Sequence, residues 1–190
     1  MFRSKDSSRG NLAARMGRWS ARHPETVCRV SHVSIEFLGK GDYRLIGSFH
    51  PPRPRGFRLP RYLAPLREGE VLRCPPFELR VEELPGHVPD QLGFRGTVDG
   101  MHVLFSGDAA IGDQNNIPGM IGWIDGYWLS SLPVYQKTLA RLAANPPDLL
   151  LPGHGRPHAG KSAQRSLDHC LRRVQRLIAS PDVKNMGPYV

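Results

Sequence analysis

Residues 98–108 constrain the fold of this chain most strongly, because they combine a turn signal, a strand and an acidic residue. Asp99-Gly100 predicts a tight hairpin, since both residue types readily adopt the positive φ angles of a two-residue turn. The mostly apolar run 101–105 follows and has the length of a strand. It stops at Ser106-Gly107-Asp108. We therefore expect a carboxylate at the end of this strand, where it is well placed to bind a cation.

Two histidines occupy similar settings elsewhere in the chain. His87 follows Pro85-Gly86 after the alternating run 77–84, and His154 follows Pro152-Gly153 after the apolar run 148–151. Strand ends on one rim of a sheet can converge, and imidazole and carboxylate groups bind zinc, iron and manganese. A single histidine after Pro-Gly is more often a turn residue, and Asp108 alone could be a cap residue. The combination of the three is what predicts a metal site.

The rest of the chain alternates between helical and strand patterns. Apolar residues recur every three or four positions over residues 11–23, 131–144 and 161–179, which predicts three helices. The second helix would present Leu132, Tyr135, Leu139 and Leu142 on one face. Short apolar or alternating runs predict strands over residues 26–31, 77–84, 91–98, 101–106 and 148–151. Strands alternating with helices are typical of a layered α/β fold.

The chain length and one irregular stretch bear on domain organisation. A chain of 190 residues is long enough for one domain, residues 1–190, with its own core. Residues 39–76 show little periodicity, and the proline- and arginine-rich residues 50–62 are interpreted as a surface insertion. No apolar run approaches the roughly 20 residues of a membrane span, so we expect no membrane partner.

The composition of the chain says more about its cellular compartment than about its function. The basic N-terminal residues are followed by no apolar core, so we do not expect them to form a secretory signal. The three cysteines are far apart and form no Cys-x-x-Cys pair, which indicates reduced thiols in a cytoplasmic protein. The net charge of +9 permits an anionic partner but does not identify one.

The three loop motifs, taken together, resemble a known enzyme family. Leu-Pro-Gly-His-Val-Pro at residues 84–89, Leu-Phe-Ser-Gly-Asp at 104–108 and Leu-Pro-Gly-His-Gly at 151–155 look like the later motifs of the metallo-β-lactamase-fold hydrolases. The resemblance implies an αββα sandwich with a dinuclear site, usually of zinc, on one edge. It also implies that His87 is a ligand of the first metal, Asp108 the bridging ligand and His154 a ligand of the second.

One family motif is degenerate or missing. The family's signature is His-x-His-x-Asp-His before a glycine and a helix, and the place left for it here is residues 2–10. Asp6 keeps the aspartate of that motif, while Phe2, Ser4 and Ser7 stand where histidines belong. Asp6 could instead be an acidic residue near a helix. The implied ligands are therefore His87, Asp108, His154 and Asp6, for one or two zinc or other divalent ions, in a sandwich incomplete at its N-terminal side.

The resemblance implies a metal-dependent hydrolase, in which metal-bound hydroxide attacks an ester, thioester, amide or phosphodiester of a small molecule. The alternative is a catalytically impaired or truncated relative that acts as a binding module, with nucleic acid as one partner. Phosphate contact and base stacking would then come from the side chains Arg53, Arg55, Phe57, Arg58, Arg61 and Tyr62. A solvated insertion loop also explains these residues. Because an incomplete sandwich exposes a sheet edge, we also expect a homo-oligomer.

Overall fold

The computed structural model describes residues 22–46, 60–113 and 118–180. Asp6, most of the predicted helix over 11–23 and most of the predicted insertion over 50–62 lie outside the described residues. The chain divides into two compact units, Met1–Leu66 and Arg67–Val190, and each is described by itself. A single domain over residues 1–190 stays a prediction.

The first unit contains a two-stranded parallel sheet and one helix. Strand β1, Val27–Ser31, pairs with β2, Tyr62–Leu66, and helix α1, His32–Gly39, follows β1 directly. The Ser31 side chain accepts a hydrogen bond from the Val33 amide and caps α1. Strand β1 was predicted, but β2 was not, and the assignment of Tyr62 to an insertion loop is wrong. Periodicity missed this strand because only its last residue, Leu66, is buried.

The second unit is built on a six-stranded sheet with the order β3-β4-β5-β6-β7-β8. All neighbouring strands are antiparallel except β6 and β7, which are parallel. The strands are β3 (Val71–Cys74), β4 (Phe77–Glu83), β5 (Leu92–Val98), β6 (Met101–Gly107), β7 (Leu149–Pro152) and β8 (His158–Ala159). Helix α2, Leu132–Ala144, connects β6 to β7, and helix α3, Lys161–Ala179, follows β8. The α/β prediction is confirmed.

The predicted hairpin at Asp99-Gly100 lies at the centre of this sheet. Asp99 has a φ angle of 50° and Gly100 one of 77°, and Val98 pairs with Met101 across the turn. Strands β4, β6 and β7 consequently run in the same direction. Their carboxyl ends therefore meet at one edge of the sheet, and the three predicted metal-binding loops begin there.

The core lies between one face of the sheet and the helices α2 and α3. Parallel strands need a long crossover, and α2 supplies it between β6 and β7 while burying its predicted apolar face. Burial raises the pKa of the Cys170 thiol to about 12, and all three cysteines are free. The cluster comprises Leu84, Leu104, Ala109, Ala110, Leu132, Tyr135, Leu139, Leu142, Leu150, Ala163, Leu167, Cys170 and Val174.

Two strands of this sheet escaped sequence analysis. Strand β3 has no fully buried residue, so its apolar alternation is weak, and β8 is only two residues long. No helix in the described ranges combines the length and apolar character needed to cross a membrane.

Candidate metal centre

The loops that carry the three predicted donors begin at the carboxyl edge of β4, β6 and β7. Asp108 follows β6 directly, and the Gly153 amide donates to the Gly107 carbonyl at 2.7 Å, which brings the loop of His154 alongside. A methyl group at Gly122 would lie 2.5 Å from Cγ of His87 and 2.7 Å from the Asp108 carbonyl oxygen. The loops carrying His87, Asp108 and His154 therefore share one small region, while Asp6 lies outside the described residues.

A backbone contact orients the His87 ring and selects its neutral tautomer. Its Nδ1 lies 2.6 Å from the carbonyl oxygen of Trp123. A carbonyl can only accept, so Nδ1 carries a proton and donates it, and in the neutral form of the ring the lone pair is on Nε2. Metal-binding histidines commonly donate their second ring nitrogen to a carbonyl or carboxylate in this way. In the neutral ring of His87, Nε2 is therefore the nitrogen with a free lone pair.

Asp108 and His154 are in direct contact. Nδ1 of His154 lies 2.7 Å from Oδ1 of Asp108, with the histidine side chain 67% exposed and the aspartate 27% exposed. An ionised carboxylate can only accept, so His154 donates from Nδ1, and in the neutral form of the ring the lone pair is on Nε2. A methyl group at Gly153 would lie 2.6 Å from that same carboxylate oxygen. Gly153 is therefore required for the close approach.

Helix α2 holds the loop that carries His87. The Ser130 hydroxyl donates to the His87 carbonyl at 2.5 Å, and the Ser131 amide donates to the Gly86 carbonyl at 2.8 Å. About two turns further along, the Thr138 hydroxyl donates to the Pro85 carbonyl at 2.7 Å. These bonds satisfy backbone groups that a Pro-Gly turn leaves without strand partners, so the position of His87 is set by the start of α2.

The hydroxyl of Tyr135 reaches the same region from inside the core. It accepts from the Gly122 amide at 3.1 Å and donates to the Ala109 carbonyl at 2.8 Å, with the Asp108 carbonyl 3.2 Å away. Sequence analysis placed Tyr135 on an apolar helix face and missed this role. The available signal was the residue type, because a buried tyrosine hydroxyl usually needs a polar partner.

A second set of bonds supports the loops around His154. The Gly112 amide donates to the His154 carbonyl at 2.9 Å, and the Asp113 amide donates to Nε2 of His158 at 3.2 Å. The Asp113 carboxylate in turn accepts from the Gly119 amide at 3.0 Å. The backbone after Asp108 and the backbone after His154 are therefore tied together beyond the donors themselves.

The donor chemistry fits a divalent metal, although the observed arrangement is a hydrogen-bonded one. Two imidazoles with lone pairs on Nε2 and one carboxylate are the ligand types that zinc prefers, and a catalytic zinc uses three protein ligands. In the ranges that the structure describes, no three histidine, cysteine, aspartate or glutamate side chains are grouped closely enough to hold an ion. Asp108 and His154 contact each other instead.

Replacing Gly122 by alanine tests whether His87 depends on this packing. The added methyl group would lie within 2.7 Å of the His87 ring and of the Asp108 carbonyl oxygen, so the ring must move and its bond to Trp123 should break. We expect zinc affinity to fall about 10–100-fold, as for loss of other groups that orient metal ligands. Zinc titration by calorimetry measures this. Gly39→Ala is the control, because its methyl group would meet nothing within 4 Å. Equal zinc affinity in both variants would contradict the prediction.

Comparison with known proteins supports a fold assignment. No family model matches the sequence, and no curated protein matches it. Among solved structures, the MIM-2 metallo-β-lactamase is 17% identical with a TM-score of 0.58, over 87% of this chain and 64% of that one. A B3 metallo-β-lactamase with an active-site glutamic acid is 19% identical with a TM-score of 0.55, over 84% of this chain and 63% of that one.

A metallo-β-lactamase family protein from Thermus thermophilus is 25% identical with a TM-score of 0.51, over 90% of this chain and 52% of that one. The chain thus spans between about half and two thirds of the length of these structures. The six-stranded sheet, the helices α2 and α3 packed on it and these structural similarities all support the same fold assignment. The chain has the metallo-β-lactamase fold.

Proposed function

We propose that this chain binds one or two divalent metal ions, zinc being the preferred metal, with His87, Asp108 and His154 as ligands. We further propose that it hydrolyses an ester, thioester, amide or phosphodiester of a small molecule. One observation carries the proposal. Three donors from three separate loops lie at one edge of the sheet, and the hydrogen bonds of both histidines leave the Nε2 lone pair available. Asp6, outside the described residues, would be a further ligand.

In such a site, each of the surrounding residues would have a separate role. A bound divalent metal would lower the pKa of water toward ~7 and so supply a nucleophile near neutral pH. Asp108 would contribute the negative charge, and the Trp123 carbonyl would hold the His87 ring in orientation. His154 is 67% exposed, so a substrate has access to this side of the site. The net charge of +9 permits an anionic substrate.

The fold supports a hydrolase without specifying one. The solved structures that resemble this chain are named metallo-β-lactamases, but the likeness is one of fold and covers part of their length. Substrate, metal and turnover are therefore part of the proposal. The three free cysteines agree with a reducing compartment, and we propose the cytoplasm.

A non-catalytic binding module is the competing proposal. The observation that favours it is that no three metal-binding side chains are grouped within residues 22–46, 60–113 and 118–180. The arginine cluster adds little to the case for nucleic acid. Arg53, Arg55 and Arg58 lie outside the described residues, and the Arg61 guanidinium lies over the ring of Tyr62, 5.2 Å from its centre.

Metal binding and hydrolysis measured on the same preparation decide between the two proposals. We expect purified protein to bind about one or two zinc ions per chain, and a chelator to remove both the zinc and the hydrolysis of aryl ester or aryl phosphodiester probes. Protein that binds no zinc would contradict the hydrolase proposal and leave the binding module.

A further inference from the structure

Tyr135 connects two backbone segments that the site needs in a fixed relation. Its side chain is fully buried in the core, and its hydroxyl contacts the Gly122 amide on one side and the Asp108 and Ala109 carbonyls on the other. The hydroxyl thus uses its proton and a lone pair together, each toward a backbone group. One oxygen atom therefore joins the turn that presents Asp108 to the loop that contains Gly122.

The loop on the Gly122 side leads directly to His87. Gly122 is packed against the His87 ring, and the next residue, Trp123, accepts the Nδ1 proton of that ring at 2.6 Å. A shift of Gly122 would therefore move the carbonyl that orients His87. A shift of the Asp108 carbonyl would move the backbone that carries the carboxylate. The Tyr135 hydroxyl is thus bonded to the backbone of Asp108 and Ala109 on one side, and on the other to Gly122, the neighbour of the residue that orients His87.

From these contacts we infer that Tyr135 is a positioning residue, whose hydroxyl sets the relation between Asp108 and His87 for metal binding. The effect on metal affinity rests on the proposed function, whereas the link between the two segments does not. The Tyr135 hydroxyl acts through its hydrogen bonds to backbone groups, so we class it as a positioning residue and not as a catalytic one.

A purely structural role for Tyr135 would require only its ring, and not its hydroxyl. Its ring fills core volume between α2 and the Gly86 turn, and phenylalanine would fill the same volume. The loop of His87 is also held by Ser130 and Thr138, whose hydroxyls donate to the carbonyls of His87 and Pro85. The hydroxyl of Tyr135 is thus not needed to fill the core, and its role is to connect the Gly122 amide to the Asp108 and Ala109 carbonyls. Burial raises the pKa of Tyr135 far above its usual value, so the hydroxyl keeps its proton as a donor.

The test compares Tyr135→Phe with Thr138→Val and the wild-type protein. Thr138→Val removes a hydroxyl-to-carbonyl bond from the same helix without touching Gly122. In the metal-free proteins, we expect the Gly122 amide to exchange with deuterium at least about tenfold faster in Tyr135→Phe than in the other two. We expect the zinc dissociation constant of Tyr135→Phe to rise about 10–100-fold relative to the wild-type protein.

Each outcome bears on the inference. A Gly122 amide that is unprotected in the wild-type protein, or equally protected in Tyr135→Phe, would overturn it, and the wild-type measurement stands even if the variant fails to fold. Lost protection with unchanged zinc affinity would overturn the positioning role. If wild-type protein binds no zinc, the proposed function fails, the positioning role toward a metal fails with it, and the exchange measurement alone decides whether the link exists.

Discussion

Replacing Asp108 by alanine is expected to abolish hydrolysis and to weaken zinc binding by more than about 100-fold, because loss of a ligand exceeds the effect of losing a group that only orients one. Asp108 supplies the carboxylate of the donor set and contacts Nδ1 of His154 at 2.7 Å. The removed contact lies at the surface, with the His154 side chain 67% exposed, so the fold should survive the change. Calorimetric zinc titration and the hydrolysis rate measure the two effects.

Two further variants separate charge from shape in this experiment. Asp108→Asn keeps the size of the side chain and an oxygen that accepts from His154, but removes the negative charge. It should resemble the alanine variant in zinc affinity if the charge binds the metal. Asp99→Asn is the control, since Asp99 lies in the hairpin turn of β5 and β6 at a φ angle of 50°, which asparagine tolerates well. Zinc bound equally by Asp108→Ala and the control would refute the proposed role.

Replacing Gly86 by alanine should destabilise the protein by about 2–6 kcal/mol, from backbone strain and overlap together. Gly86 has a φ angle of 141°, which other residues rarely adopt. A methyl group there would also lie 2.4 Å from both Cα and Cβ of Tyr135. The obstacle is helix backbone, which cannot move without shifting α2. Urea unfolding followed by circular dichroism gives the free energy of unfolding.

The control for this variant isolates the backbone contribution. Gly100 has a φ angle of 77°, but a methyl group there would meet no atom within 4 Å. Gly100→Ala should therefore cost only the strain, about 1–3 kcal/mol. If Gly86→Ala were no more destabilising than Gly100→Ala, the close packing of the Gly86 turn on α2 would be wrong.

The sequence predicted those parts of the fold whose signals are local. The Asp99-Gly100 turn, strand β6 and the bounds of α3 follow from turn chemistry and apolar spacing within a few residues. Strand β8 escaped because two residues have no period, and β2 because its pairing with β1 depends on residues far away in the chain. Local patterns also predicted that each candidate donor lies in a loop directly after a strand. The structure places His87, Asp108 and His154 in such loops.

The parts of the site that sequence analysis missed depend on distance through space. Nothing local distinguishes Gly122 from other loop glycines, yet it packs against His87 and bonds to Tyr135. The carbonyl of Trp123 carries no side-chain signal at all, although it sets the His87 tautomer. Backbone groups and glycines that act through contact are visible only once the chain is folded.

The parallel pairing of β6 with β7 has a consequence for how the site assembles. Asp108 and His154 are 46 residues apart and meet only after the crossover through α2 has closed. Closing a long loop costs entropy before its contacts form, so this pair belongs to the slow, non-local part of folding. A short peptide spanning the β5–β6 hairpin would carry Asp108 without either histidine. The donor set is thus a property of the whole second unit and cannot be transplanted as a linear segment.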